Sequence, residues 1–171
     1  MNNQILLLGL GNTLLKDDGI GVHAIHALKK GYHFSPQIEM IDGGTLGLDL
    51  LHLLENRDKI LFVDAVDFGK APGTIGVLEN EDISSAFQTK LSVHHIGLPD
   101  LLLAAKWMDI KPSKICLIGI QPERMDMGLE MTEPVRGKIG ELVNRIIGEL
   151  EGWGITCTAL LPERTDGVCG P

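Results

Sequence analysis

Residues 4–9 read Gln-Ile-Leu-Leu-Leu-Gly, and a glycine loop, Leu10-Gly11-Asn12, follows at once. Four consecutive aliphatic side chains in so short a run predict a strand buried on both faces, because successive side chains point to opposite sides of a sheet. Such a strand needs cover above and below. Two further runs share this character, Lys-Ile-Leu-Phe-Val-Asp at 59–64 and Lys-Ile-Cys-Leu-Ile-Gly at 114–119. Runs at 37–41 and 74–78 are shorter and less apolar. Amphipathic stretches separate them. The spacing predicts helices over 19–30, 47–55, 97–108 and 132–151, the last with Val135, Ile139, Leu142, Val143, Ile146, Ile147 and Leu150 on one stripe. Strands alternating with helices imply a largely parallel sheet sandwiched between helical layers. Right-handed crossovers put the 37–41 strand on one side of the 4–9 strand and the 59–64 strand on the other. The order in which strands are added therefore reverses, and a topological switch point lies between 4–9 and 59–64. Ligand sites of open α/β sheets lie at such a junction, beyond the carboxyl ends of the strands.

The whole chain, 171 residues, is long enough for one well-buried domain, expected over 1–156. Residues 157–171 lack periodicity and are expected to form a flexible tail. Hydrophobic residues make up 44% of the sequence, which argues against disorder. Aromatics are only 4%, so the core must be aliphatic. A net charge of −8 disfavours nucleic acid and anionic lipid as partners. The apolar run at 5–8 is too short to span a membrane and lacks the basic flank of a signal peptide. Three scattered cysteines, Cys116, Cys157 and Cys169, supply neither a disulfide framework nor a paired metal motif. Cys116 reads as buried filler. The expected setting is a reducing cytoplasm.

Chemistry-bearing residues gather where the topology places a site. The segment Gly9-Leu10-Gly11-Asn12-Thr13-Leu14 lacks the third glycine of a dinucleotide fingerprint, and Asp17 and Asp18 would repel a phosphate there. One of these two acids is placed to cap the 19–30 helix, and the pair exceeds what capping requires. Asp64 closes the 59–64 strand, where a carboxylate is costly unless paired, hydrogen-bonded or bound to a cation. A turn-forming aspartate is the competing reading. His94 and His95 precede the 97–108 helix, and at most one can share a site with the acids. Two carboxylates and an imidazole suit a borderline divalent ion, and residue chemistry alone does not choose among zinc, nickel, iron and manganese. Asp42 ends the second strand near the same rim, either as a turn former or as a contact for substrate. Ser92 lies close to His94 without a third member to orient the pair.

These motifs resemble the hydrogenase maturation endopeptidases. The family's glycine-loop motif corresponds to residues 9–21, ending Asp17-Asp18-Gly19-Ile20-Gly21. Its Asp-Gly-Gly-Thr segment corresponds to 42–45, its strand end to Val63-Asp64-Ala65 and its histidine segment to 94–98. Gly-Ile-Gln-Pro-Glu at 119–123, Gly128-Leu129 and Thr132-Glu133-Pro134-Val135 are similar as well. The resemblance spans roughly residues 4–150. It implies a three-layer α/β/α fold of the phosphorylase/hydrolase type, with a mostly parallel, twisted five-stranded sheet and one antiparallel edge strand. It also implies an aspartyl-type, metal-dependent endopeptidase that removes the C-terminal extension of a nickel-iron hydrogenase large-subunit precursor. By this resemblance Asp18, Asp64 and His94, rather than His95, are the metal-gripping and catalytic residues, and Asp42 contributes to substrate selection. Some relatives carry Glu at the position of Asp18. The resemblance further implies that nickel arrives with the substrate, with cadmium or zinc as surrogates in crystals, and that the protease is a monomer. The competing functions are a hydrolase carrying its own zinc and a nickel chaperone that does not cleave.

Overall fold

The computed structural model describes residues 4–87 and 97–161. Strand β1 (Ile5–Leu10) is buried along its whole length. It lies between β3 (Glu39–Gly44) and β4 (Lys59–Ala65), parallel to both. β6 (Lys114–Ile120) continues the parallel set beside β4, and β5 (Ile75–Glu79) closes the edge antiparallel to β6. The five-stranded order is thus β3-β1-β4-β6-β5, with the topological switch point between β1 and β4. This is the expected α/β fold, including its antiparallel edge strand.

Period-two alternation builds the two cores. Ile5 and Leu7 of β1, Leu61 and Val63 of β4, and Cys116, Ile118 and Ile120 of β6 face one side. There they pack on α1 (Ile20–Gly31) and α6 (Ile139–Gly152). Leu6, Leu8, Ile60, Phe62 and Leu117 face the other side. They meet Leu54 of α2 (Leu51–Leu54) and Leu98, Leu101 and Ala105 of α4 (Leu98–Trp107). Each fully buried aliphatic side chain contributes about 1.5–3 kcal/mol through removal from water, so the sheet's interior dominates stability.

Several expected boundaries move. The second strand starts later and runs through Asp42 and Gly43, which sequence alone assigns to a turn. The second helix begins with a 3-10 turn over Gly47–Leu50. The last helix is interrupted: α5 (Glu133–Arg136) ends and α6 starts only at Ile139. A short helix, α3 (Glu81–Phe87), carries no periodic signal and is absent from the sequence-based expectation. A second, two-stranded antiparallel sheet joins β2 (Tyr32–Ser35) to β7 (Thr156–Ala159). The boundary expected between 156 and 157 therefore falls inside a strand, with Phe34 opposite Cys157. Residues 162–171 lie outside the described part of the chain.

Close approach of helix to sheet fixes the rim. A Cβ on Gly21 would lie 2.2 Å from the Val63 carbonyl oxygen and 2.4 Å from that of Leu10. The first turn of α1 therefore rests directly on the carboxyl ends of β1 and β4. The acidic loop just before α1 is held at the junction between these strands.

Candidate functional site

The loop joining β1 to α1 folds back on itself. Gly11 has φ +119°, a backbone conformation that L side chains rarely adopt, and a Cβ there would sit 1.7 Å from the Asp18 carbonyl oxygen. The Gly11 N–H donates to the Gly44 carbonyl at 3.0 Å, tying the loop to the end of β3. A 3-10 turn over Lys16–Gly19 then feeds α1. Neither acid caps the helix: Gly19 occupies the N-cap position without a side-chain bond. Their carboxylates are engaged elsewhere.

Asp17 is fully buried. Its Oδ2 accepts from the backbone N–H groups of Glu123 (2.9 Å) and Arg124 (3.0 Å) and from the Thr132 hydroxyl (2.8 Å). Its Oδ1 accepts from the Thr132 N–H at 2.7 Å. Burial alone would raise its pKa. The bonds from Arg124, Thr132 and Glu123 outweigh that effect and hold it below the usual value. Asp17 is thus a structural anchor that ties the loop after β6 to the glycine loop.

Asp18 is half-buried, and its Oδ2 accepts from the Asn12 N–H at 2.8 Å. Asp64, also half-buried, stands one residue before the end of β4. Its Oδ1 accepts from the Ala65 N–H at 2.8 Å. Its pKa is pushed up to about 8, first by burial and then by the negative charge of Asp18, against the lowering effect of the Ala65 bond. The fold therefore brings Asp18 and Asp64 into electrostatic contact at the predicted junction. Each has one carboxylate oxygen engaged by a backbone N–H. His94, His95 and Ser92 lie outside the described residues, as does Cys169.

Asp42 both turns the chain and reaches a neighbour. Its Oδ1 accepts from the Gly44 N–H at 3.0 Å, and its Oδ2 lies 3.2 Å from His26 Nε2 on α1. His23, one turn earlier, has a buried Nε2 with no hydrogen-bond partner among the described residues. Burial and His26 lower its pKa, and Asp42 works against them. Sequence reasoning missed His23, His26 and Gln121. The signal for the histidines was their spacing of three on a predicted helix. Gln121 is buried just past β6. Its Oε1 accepts from Phe68 N–H at 2.7 Å and its Nε2 donates to Asp67 at 3.1 Å, which fixes the loop that follows Asp64.

Other candidate chemistry falls away. Among the described residues, Glu79, Cys116 and Glu149 stand close enough together to hold a metal ion. The Lys114 ammonium lies 2.9 Å from Glu79 and 3.1 Å from Glu149, so a cation of the protein's own already pairs with both and offsets part of their charge. Burial, with Glu149 and Glu79, pushes the Cys116 thiol up to about 12, and burial also raises that of Cys157. Both are inert as nucleophiles near neutrality. No helix among the described residues is long and apolar enough to cross a membrane.

The profile of the hydrogenase maturation protease family matches residues 22–149. The chain belongs to this family. It is 37% identical over 170 residues to the hydrogenase expression/formation protein HupD of Rhizobium leguminosarum bv. viciae, covering 98% of this chain and 82% of that protein. It is 36% identical over 153 residues to the hydrogenase 2 maturation protease of Escherichia coli K12, covering 89% and 93%. The solved structure of the hydrogenase maturating endopeptidase HybD from E. coli superposes with a TM-score of 0.84 at 35% identity, covering 91% of this chain and 96% of that one. The protease is accordingly a peptide hydrolase of hydrogenase maturation. The matched span starts after Asp18 and includes Asp42, Asp64 and His94.

Proposed function

We propose that this protease removes the C-terminal extension of a nickel-loaded large-subunit precursor of a nickel-iron hydrogenase, and that Asp18, Asp64 and His94 together grip the substrate's nickel. The observation that carries the reading is the carboxylate pair. Burial and the neighbouring Asp18 charge make an ionised Asp64 costly at this half-buried junction, and a cation would relieve that cost. Asp64 would give up its proton on meeting that charge. The carboxylate oxygens not held by Asn12 and Ala65 are then available for the cation or for the proton of an attacking water. Nickel bound in the precursor would add positive charge beside the scissile carbonyl and so favour attack. Much of the rate would come from positioning, which can lower a barrier by roughly 7 kcal/mol in favourable cases. Asp42, steadied by His26 on the same rim, would read the substrate beside the grip. The reading includes a cytoplasmic monomer that holds no nickel of its own before the precursor arrives.

A mass assay of precursor processing tests this. Nickel-loaded precursor should be shortened, and nickel-free precursor should not. Asp18→Ala, Asp64→Ala and His94→Ala should each abolish the mass shift, and His95→Ala should retain activity. Full activity of Asp64→Ala would sink the site, and cleavage of nickel-free precursor would sink nickel as the recognition signal.

A further inference from the structure

The loop between β6 and α5 carries exposed apolar side chains and is hydrogen-bonded to the loop that holds Asp18. Met127 is 83% exposed, Leu129 71% and Met125 49%. Leu14, at the tip of the glycine loop, is 57% exposed. The two loops are joined: Gly128 N–H donates to the Leu14 carbonyl at 2.9 Å, and Lys16 N–H donates to the Gly128 carbonyl at 2.8 Å. Leu15 and Gly128 form a β-bridge. Asp17 holds the same loop at both ends through Glu123, Arg124 and Thr132. Apolar tips on so firmly tied a support form a built surface.

The acid between the two methionines, Asp126, is paired. Asp126 lies 2.7 Å from the Lys16 ammonium and 2.9 Å from the Arg124 guanidinium. Glu123 and Glu130, also exposed on this loop, flank the apolar tips with negative charge. We propose that Leu14, Met125, Met127 and Leu129 form a docking ledge for an aliphatic segment of the precursor polypeptide next to the scissile bond. The inference rests on the function proposed above and names how that site takes its substrate. Any chain that presents a bond to Asp18 and Asp64 must cross the carboxyl ends of β1 and β4. The ledge is built on the loops that follow β1 and β6, to either side of β4.

The test compares Met127→Ser/Leu129→Ser with the unaltered protease and with Leu161→Ser, a 90% exposed control beyond β7. Processing of nickel-loaded precursor gives KM and kcat, and binding of the same precursor is measured separately by titration. Full burial of two such side chains predicts a rise in KM and in dissociation constant of about tenfold or more, with kcat within about twofold. Leu161→Ser should match the unaltered protease. Both ledge positions are exposed, so the melting temperature should hold, and single Met127→Ser and Leu129→Ser variants should each show part of the effect. Unchanged KM and binding in the double variant would overturn the ledge. So would a concentration-dependent dimer, seen by sedimentation and lost in that variant. Failure of the unaltered protease to cleave would refute the proposed function instead, and the binding titration would still decide the ledge.

Discussion

Replacing Asp64 by asparagine should make the fold more stable and the enzyme inactive. Asp64 titrates near 8 in the fold, against 3.8 for an ordinary aspartate. Below about pH 4 both folded and unfolded chains hold the proton, and the residue has no net effect on stability. As pH rises from 4 to 8 the unfolded chain has released its proton and the fold still retains it, so stability falls by up to about 1.4 kcal/mol per pH unit. Above 8 the fold has released it too, and the loss is complete. At pH 7 the full effect would be roughly 4 kcal/mol, and solvent reaching the half-buried carboxylate reduces this to about 2–3 kcal/mol. The Asp64→Asn variant carries none of this dependence. The difference between variant and unaltered protein should therefore be small at pH 5 and grow steadily to pH 8. For 171 residues it corresponds to a rise in melting temperature of about 5–10 °C near neutrality. Thermal and urea unfolding of both proteins across pH 5–8.5 measures it, and groups that do not interact with Asp64 cancel in the comparison. Parallel stability curves would refute the argument that burial and Asp18 strain this carboxylate. Greater stability with lost processing would identify a residue kept for function at a structural cost.

Two further outcomes follow from the loops around that carboxylate. Asp17→Ala leaves the N–H groups of Glu123, Arg124 and Thr132 without their acceptor, at about 1–3 kcal/mol each where water does not replace it. Urea unfolding should show a loss of roughly 3 kcal/mol or more, with faster hydrogen exchange at those amides, and a loss below about 1 kcal/mol would contradict the anchoring role. Gly21→Ala forces a methyl group against the Val63 and Leu10 carbonyls, at roughly 1–3 kcal/mol or more. It should lower the melting temperature and reduce processing by shifting the loop that holds Asp18. Unchanged stability would mean that α1 does not bear on the sheet as closely as its geometry indicates.

The legible part of the fold is the part written in side-chain period. β1, β4 and β6 are continuous aliphatic runs because both faces of the central sheet are covered, and α1, α4 and α6 carry apolar stripes because one face is. From these elements and the handedness of their crossovers, the junction between β1 and β4 follows without coordinates. β2 and β7 escaped because each is four residues long and mostly exposed, so burial imposes no alternation on either. They pair with each other across most of the chain's length, beyond the reach of any local pattern. The break between α5 and α6 escaped because Val135 and Ile139 stay on the same stripe, and the interruption falls at Gly137-Lys138, between them. Asp42 lies inside β3 because the ladder with β1 extends through it, and its side chain still accepts from the Gly44 N–H as a turn former's does.

Asp17 and Asp18 show where sequence reading stops at the site itself. They are the same residue type, adjacent, in one loop, and composition offers nothing to tell them apart. Their environments do. Asp17 points inward to four hydrogen bonds that arrive from residues 123–132, more than a hundred positions away, and these bonds favour its charged form. Asp18 keeps one bond, from Asn12 within its own loop, and directs its charge at Asp64 instead. The inward acid stabilises the loop that the outward acid needs in order to face β4. A carboxylate pair strained by like charge is useful only if it cannot relax apart, and Asp17 supplies that restraint. The double acid of the glycine loop is therefore one structural residue and one candidate ligand, and the division between them is made by the loop after β6 rather than by anything local to the motif.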